Sequence, residues 1–336
     1  MQLRARIVSL TLAEEFAISR ASRTTQEVVQ VDLEHDGIVG AGESAPVYYR
    51  GETAESAADF LTEEAPALAG DDPFALEAIG QRLEDVDGQA AGKAALDSAL
   101  HDWLGKRLNL PVWRLLGLSP EAPVTSYTIG IDTVEGTHRR ARAARDFRAL
   151  KLKVGGADDL ARVEAVRAES DAPLRVDANE GWTLESAREL MPALVELGVE
   201  LIEQPFPADD LDSFLGLREL EPRPPIIVDE GCHDLADVGG VAFYADGINV
   251  KLAKSGGLRE AVRMINAARA LGLRVMLGCM IESPLGIAPA AAIASLVDWA
   301  DLDGHLLLAD EPYTGLGLRD GRVLPGSAPG LGVTPA

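Results

Sequence analysis

The residues able to do chemistry in this 336-residue chain recur at a near-constant interval. Lys151 and Lys153, then Asp177, Glu203, Asp229 and Lys251, each close a short apolar run. The terminal charges from Lys153 onward are 24, 26, 26 and 22 residues apart. Asp177, Glu203 and Asp229 supply three carboxylates and no sulfur or imidazole. Such hard oxygen ligands suit Mg²⁺, or Mn²⁺ in its place, rather than zinc. A divalent ion so held can bind a substrate carboxylate and stabilise the dianion left when the neighbouring carbon loses its proton. Lys153 and Lys251 flank the three acids and are the expected bases. Lys151 lies on the same side of its strand as Lys153 and would, with the metal, depress that lysine's pKa and donate to the substrate carboxylate. One base suffices for an elimination. Two on opposite faces can take a proton from one side of a carbon and return it to the other, inverting the centre.

A charge at a strand end is ordinarily just solvated; five in step are harder to dismiss. Lysine usage points the same way. The chain has six lysines against 25 arginines, and four of the six (Lys151, Lys153, Lys251, Lys254) gather at two strand ends. Lysine, unlike arginine, can give up its proton. Lys254 falls past its strand, beside Gly256 and Gly257, and reads as a loop or helix-start cation.

The interval itself is that of a strand–helix unit. Alternation of the two implies a parallel sheet with right-handed crossovers, and in a closed barrel the C-terminal strand ends converge on one mouth. Strands are expected at Val124–Ile129, at the five apolar runs, at Arg274–Leu277 and around Asp301-Leu-Asp303, with helices at 134–147, 159–169, 184–197, 211–220 and 258–271. Ahead of the barrel the chain reads as strands and then helices: alternating runs at 3–10 and 27–33, a turn at His35-Asp36-Gly37, a returning strand at 38–45, a helix capped by Thr53, another opened by Asp72-Pro73, and a long one over 89–108. The Gly37, Gly40 and Gly42 set lies in a hairpin with no helix directly behind it, which argues against a nucleotide loop. Asp158-Asp159 reads as a solvated loop or helix start.

A formal charge of −23 argues against nucleic acid and anionic membranes as partners. Two cysteines, Cys232 and Cys279, form no disulfide framework, and no stretch has the length of a signal core or a membrane span. A cytoplasmic location is the simplest expectation, and a homo-oligomer is compatible with the sequence.

Lys151-Leu-Lys153, Val176-Asp177-Ala-Asn179, Glu203-Gln204-Pro205, Asp229-Glu230-Gly231 and Asn249-Val-Lys251-Leu-Ala-Lys254-Ser-Gly-Gly257 together resemble the motifs of the enolase superfamily, in its muconate-lactonizing-enzyme branch. The resemblance implies an α/β fold: a (β/α)7β TIM-like barrel over residues 119–309 behind an N-terminal α+β capping domain, residues 1–118, completed by the tail 310–336. It implies one Mg²⁺ per subunit, held by Asp177, Glu203 and Asp229, with Lys153 and Lys251 catalytic.

Within that branch the chain is most similar to the dipeptide epimerases. Asp301-Leu-Asp303 resembles the pair of acids with which they hold the free amino end of a dipeptide. Ser126–Asp132, with Thr128 facing the substrate, resembles their first barrel strand. The implied substrate is L-Ala-D/L-Glu or a related dipeptide, inverted at its second residue. Arg23 or Arg20 would pair with the side-chain carboxylate, with Arg50 a weaker candidate, and Glu282 or Ser283 would touch substrate at the seventh strand end. The competing readings are an o-succinylbenzoate synthase or muconate-type cycloisomerase, which needs no Asp301/Asp303 pair, and a barrel that binds metal or ligand without turnover.

Overall fold

The structure is a computed structural model, which describes residues 1–19 and 21–336. Three antiparallel strands open the chain: β1 (Gln2–Ile18), β2 (Ala21–His35) and β3 (Ile38–Ser44), in that order across the sheet. Asp36 and Gly37, both at positive φ (50° and 72°), make the two-residue turn between β2 and β3. β1 runs eight residues beyond its expected end at Leu10. Its register with β2 breaks between Thr11 and Phe16, so the apolar–polar alternation is lost there while backbone pairing resumes.

Behind this sheet lies the long helix Ala90–Leu108. A Cβ on Gly40 would sit 2.1 Å from Ala99 O, and one on Gly42 2.0 Å from Ala95 O. Those glycines exist for close helix–strand packing. Helix Ala54–Glu63 starts at the expected Thr53, whose side chain accepts from Ser56 N while Ser56 caps Thr53 in return. Asp72-Pro73 does not open a helix as expected. Asp72 Oδ1 accepts from Phe74 N in a local turn, and the helix begins at Leu76.

The barrel strands are β4 (Tyr127–Ile129), β5 (Leu150–Lys153), β6 (Leu174–Asp177), β7 (Val199–Glu203), β8 (Ile226–Val228), β9 (Gly247–Lys251), β10 (Arg274–Gly278) and β11 (Trp299–Asp301). They lie side by side in sequence order, all parallel. The ring closes between its ends through the Thr125–Ala300 bridge and Ser126 N donating to Ala300 O at 3.1 Å. That closure is why the first barrel strand is shorter than expected: Thr125 and Ser126 turn to β11. Leu150, Leu152, Val176, Ile202, Val228, Ile248, Val250, Val275 and Leu277 are fully buried in the core.

Two helices of seven or more residues had no sequence expectation. Leu235–Val241 is short and contains Gly239-Gly240, but Asp234 and Asp237 form its capping box. Pro284–Ile293 is buried along its whole length, so it carries no amphipathic signal. The cap is tied to the barrel by Asp97, whose carboxylate accepts from Leu258 N (2.7 Å) at the start of helix Leu258–Ala270. The tail returns to the cap, with Leu331 N donating to Asp102 Oδ1 at 2.8 Å. Among the described residues no helix is long and apolar enough to cross a membrane.

Candidate active site

Parallel register places the charged strand ends at one level. Lys153 pairs with Asp177 and Asp177 with Glu203 on one arc of the ring; Lys251 pairs with Gly278 and Gly278 with Asp301 on the other. Asp229 lies just past β8, between the arcs. All of these side chains are at least nine-tenths buried. β5 and β9 stand four places apart in a ring of eight, so Lys153 and Lys251 enter from opposite sides.

Lys151 Nζ lies among three acids: Asp177 Oδ2 at 3.0 Å, Glu203 Oε2 at 2.7 Å and Asp301 Oδ2 at 2.7 Å. Burial works against this ammonium, but the three carboxylates outweigh it and hold its pKa well above the ordinary lysine value. Lys153 Nζ donates to Asp177 Oδ2 (2.6 Å) and Lys251 Nζ to Asp229 Oδ2 (2.7 Å). Burial also opposes the Lys251 charge, and Asp229 and Glu203 raise its pKa well above normal nonetheless. Burial pushes Asp177 and Asp229 toward the neutral form, yet the lysines facing each hold both carboxyls below the usual range.

Lys254 is not a solvated cation. It is 2% exposed and donates to Asp229 Oδ1 (2.6 Å), Asp229 O (2.6 Å), Cys232 O (2.9 Å) and Asn249 O (3.0 Å). Four acceptors occupy its three N–H donors, leaving none to turn toward a substrate. Cys232 is buried with its thiol pushed up to about 12 by burial, an inert group.

Among the described residues the acids are not drawn into a ready coordination cluster; an ammonium engages each. The donor set nonetheless fits a hard divalent cation. Six carboxyls (Asp177, Glu203, Asp229, Glu230, Asp301, Asp303) meet four lysines at this mouth, leaving two negative charges uncompensated. The deficit falls on Glu203 and Asp303. Burial, then Asp177, pushes Glu203 up to about 7; burial, then Asp301, does the same to Asp303. Glu203 Oε2, Asn179 Oδ1 and Asn249 Oδ1 are buried oxygens without a hydrogen-bond partner, Lys151 lying near Glu203 Oε2 but out of line. Oxygen atoms alone, with charge to spare, describe a Mg²⁺-type site.

A cavity of about 110 Å³ opens between this mouth and the cap. Lys151, Lys153, Lys251, Asp301, Asp303 and Thr128 line its barrel side. Thr128 N donates to Asp303 Oδ2 at 2.6 Å, aiming that carboxyl. On the cap side, Arg23 lies over the Tyr48 ring at 4.7 Å and hydrogen-bonds the Gln26 side chain. Arg20 lies outside the described residues. Arg50 faces a separate cavity with Arg259 and Arg263. Glu282 and Ser283 are placed in the seam between cap and barrel and not among the residues lining this cavity.

Several supports escaped the sequence reading. Asp159 is 2% exposed rather than solvated. It accepts from Gly155 N (2.9 Å), Gly156 N (3.0 Å) and Trp182 Nε1 (2.7 Å), fixing the loop that follows Lys153. Gln204 Oε1 accepts from Asp229 N at 2.8 Å, and Asn249 Nδ2 donates to Glu203 Oε1 at 2.8 Å. Arg175 reaches across the barrel interior to Ser126 Oγ (2.8 Å) and Ala300 O (2.7 Å). Its phase, two residues before Asp177, was the available signal that it points inward.

Residues 2–117 match the mandelate racemase / muconate lactonizing enzyme N-terminal domain, and residues 134–336 the enolase C-terminal domain-like family. The chain therefore belongs to the enolase superfamily, in its mandelate racemase / muconate lactonizing enzyme family, and is an enzyme of the isomerase class. More particularly, its relatives include the L-Ala-D/L-Glu epimerase of Bacteroides thetaiotaomicron, 39% identical over 96% of this chain and 85% of that one. Among solved structures, the substrate-liganded L-Ala-D/L-Glu epimerase from Bacillus subtilis superposes with a TM-score of 0.93 at 30% identity, covering 100% of this chain and 99% of that one. The dipeptide epimerase from Enterococcus faecalis, complexed with Mg and L-Leu-L-Tyr, gives 0.90 at 32% identity, covering 99% of both.

Proposed function

We propose that this protein is a Mg²⁺-dependent dipeptide epimerase that inverts the α-carbon of the second residue by transferring a proton between two lysines. The observation that carries the reading is the pair of amines, Lys153 and Lys251, entering one cavity from opposite sides of a ring whose rim also holds Asp301 and Asp303. In the L→D or D→L direction one lysine, able to act as a base once a cation takes over the carboxylate that holds its proton, would remove the α-proton from its face. The other, as ammonium, delivers a proton to the opposite face, and the roles exchange in reverse. A divalent cation held by Asp177, Glu203 and Asp229 would bind the substrate carboxylate and stabilise the enolate charge. Lys151, a permanent cation, adds to that stabilisation.

Asp301 and Asp303 select the free ammonium of the dipeptide. An acid substrate without an amine would bring its own negative charge against two buried carboxyls that Lys151 and Thr128 N only partly satisfy, which disfavours the cycloisomerase and synthase readings. Arg23, over the Tyr48 ring in the cavity wall, supports an acidic second side chain, as in L-Ala-D/L-Glu.

The test is incubation of L-Ala-L-Glu in deuterated water with Mg²⁺. The α-hydrogen of glutamate should exchange and the D-epimer should accumulate. Lys153→Ala and Lys251→Ala should each lose epimerisation by about 10³-fold. A variant that kept full activity would refute the two-base scheme.

A further inference from the structure

Two buried acids at the seam between cap and barrel are unused by this chemistry. Glu43, on β3 of the cap, accepts from Ser283 N (2.7 Å) through Oε1 and from Ser283 Oγ (2.7 Å) and Gln30 Nε2 (2.6 Å) through Oε2. Glu282, from the barrel loop after β10, accepts from Ala45 N of the cap (3.1 Å) through Oε1. Its other oxygen takes Met280 N at 3.4 Å. Each domain's carboxyl thus binds the other domain's backbone. Glu43, Glu282, Ser283 and Gln30 are all at most 5% exposed. The arrangement tolerates no side chain at position 286, where a Cβ would sit 2.9 Å from both Glu43 Oε1 and Glu282 Cβ. Gln30 extends the network to the tail, accepting from Tyr313 OH at 3.1 Å.

We infer that Glu43 and Glu282 form a reciprocal clasp that sets the spacing of two cavity walls and, through it, which second-residue side chain the enzyme accepts. The inference rests on the dipeptide reading above and deepens it. Immediately after Glu43 the chain supplies Ala45, Pro46 and Tyr48 to the cavity; immediately before Glu282 it supplies Cys279, Met280 and Ile281. The clasp therefore lies within a few residues of both walls, and Tyr48 is the surface on which Arg23 rests. A seam needing adhesion alone would do better with apolar groups. Burial pushes the Glu43 carboxyl up, and burial together with Glu43 pushes Glu282 up to about 7. What these acceptors provide is register: three directed hydrogen bonds cross the seam and hold one relative position. Neither acid touches the reacting atoms; both are positioning residues.

The test compares Glu43→Gln and Ser283→Ala with the wild-type enzyme on dipeptides of fixed first and varied second residue, read by α-hydrogen exchange at saturation and at low substrate. Glu43→Gln sets an amide donor against donors. It should raise KM for the preferred dipeptide ~10-fold, with a much smaller change in kcat, and reorder the preference among second residues. Ser283→Ala removes one hydrogen bond of the clasp, together with the cap that Ser283 Oγ gives Leu285 N, and should shift KM in the same direction by ~3-fold, which keeps the test open if Glu43→Gln fails to fold. A fall in kcat at constant KM, or an unchanged order of preference in a variant with lowered melting temperature, overturns the clasp. Absence of exchange with every dipeptide in the wild-type enzyme overturns the proposed function instead.

Discussion

The barrel mouth and the cap–barrel seam both bury clusters of carboxyls, and they compensate them differently. At the mouth the partners are ammoniums: Asp177 faces Lys151 and Lys153, and Asp229 faces Lys251 and Lys254. At the seam they are neutral donors, namely backbone N–H groups, a serine hydroxyl and a glutamine amide. For the acids that the lysines face, the electrostatic result is opposite; Glu203 and Asp303, the mouth acids left over, rise as the seam acids do. The lysines hold Asp177 below the usual carboxyl range despite burial, whereas burial and its acidic neighbour push Glu282 up to about 7. Full charges at the mouth suit the proton transfer and cation binding proposed there. Dipoles at the seam suit a place where two loops must be kept in position.

The sharpest way to break this contrast is at the mouth. Asp177→Asn leaves Lys151 and Lys153 facing a neutral amide, and the loss of one partner in a buried ionic group should destabilise the fold by ~3–5 kcal/mol. Denaturant unfolding checks the stability loss, and calorimetric titration with Mg²⁺ alone should show weakened binding. Next in size, Asp301→Asn/Asp303→Asn should raise KM for a dipeptide ~100-fold while a substrate lacking the amine is affected little. Equal losses on both substrates would remove the ammonium-binding role.

At the seam the expected effect is smaller and depends on pH. Glu282 has its carboxyl raised from 4.5 to about 7 on folding. The unfolded chain releases that proton more readily, so the penalty is absent below about pH 4.5, grows as pH rises to 7, and is constant above. Glu282→Gln should therefore flatten the decline in melting temperature between pH 5 and pH 8, worth up to ~3 kcal/mol. A decline unchanged in the variant would place the titration elsewhere. Smallest is Thr53→Ala, which deletes a helix cap that hydrogen-bonds neither cluster. It should cost ~1 kcal/mol of stability and leave KM and kcat alone, a baseline against which the other losses are read.

Lys153, Asp177, Glu203, Asp229 and Lys251 were legible in the chain because a parallel barrel repeats. When each strand–helix unit has nearly the same length, the last residue of every strand arrives at the same rim, and period alone predicts convergence. The three-stranded cap sheet and the capped helix at Thr53 were legible for a similar reason, since alternation and capping are local. The rest depended on partners distant in sequence. Asp159 reads as an acid in a polar loop until Trp182 and the Gly155–Gly156 backbone close around it. Lys254 reads as a helix-start cation until Asn249, Asp229 and Cys232 turn their carbonyls on it. Glu282 and Ser283 lie at a strand end as expected, yet the cap's Glu43, 240 residues before Ser283, and its Ala45 N take them into the seam. Strand period is a property of neighbours along the chain, so sequence alone determined the barrel and its charged rim. Which buried polar groups meet across domains is set by contacts that exist only once cap and barrel are packed together, and that was decided by the tertiary structure.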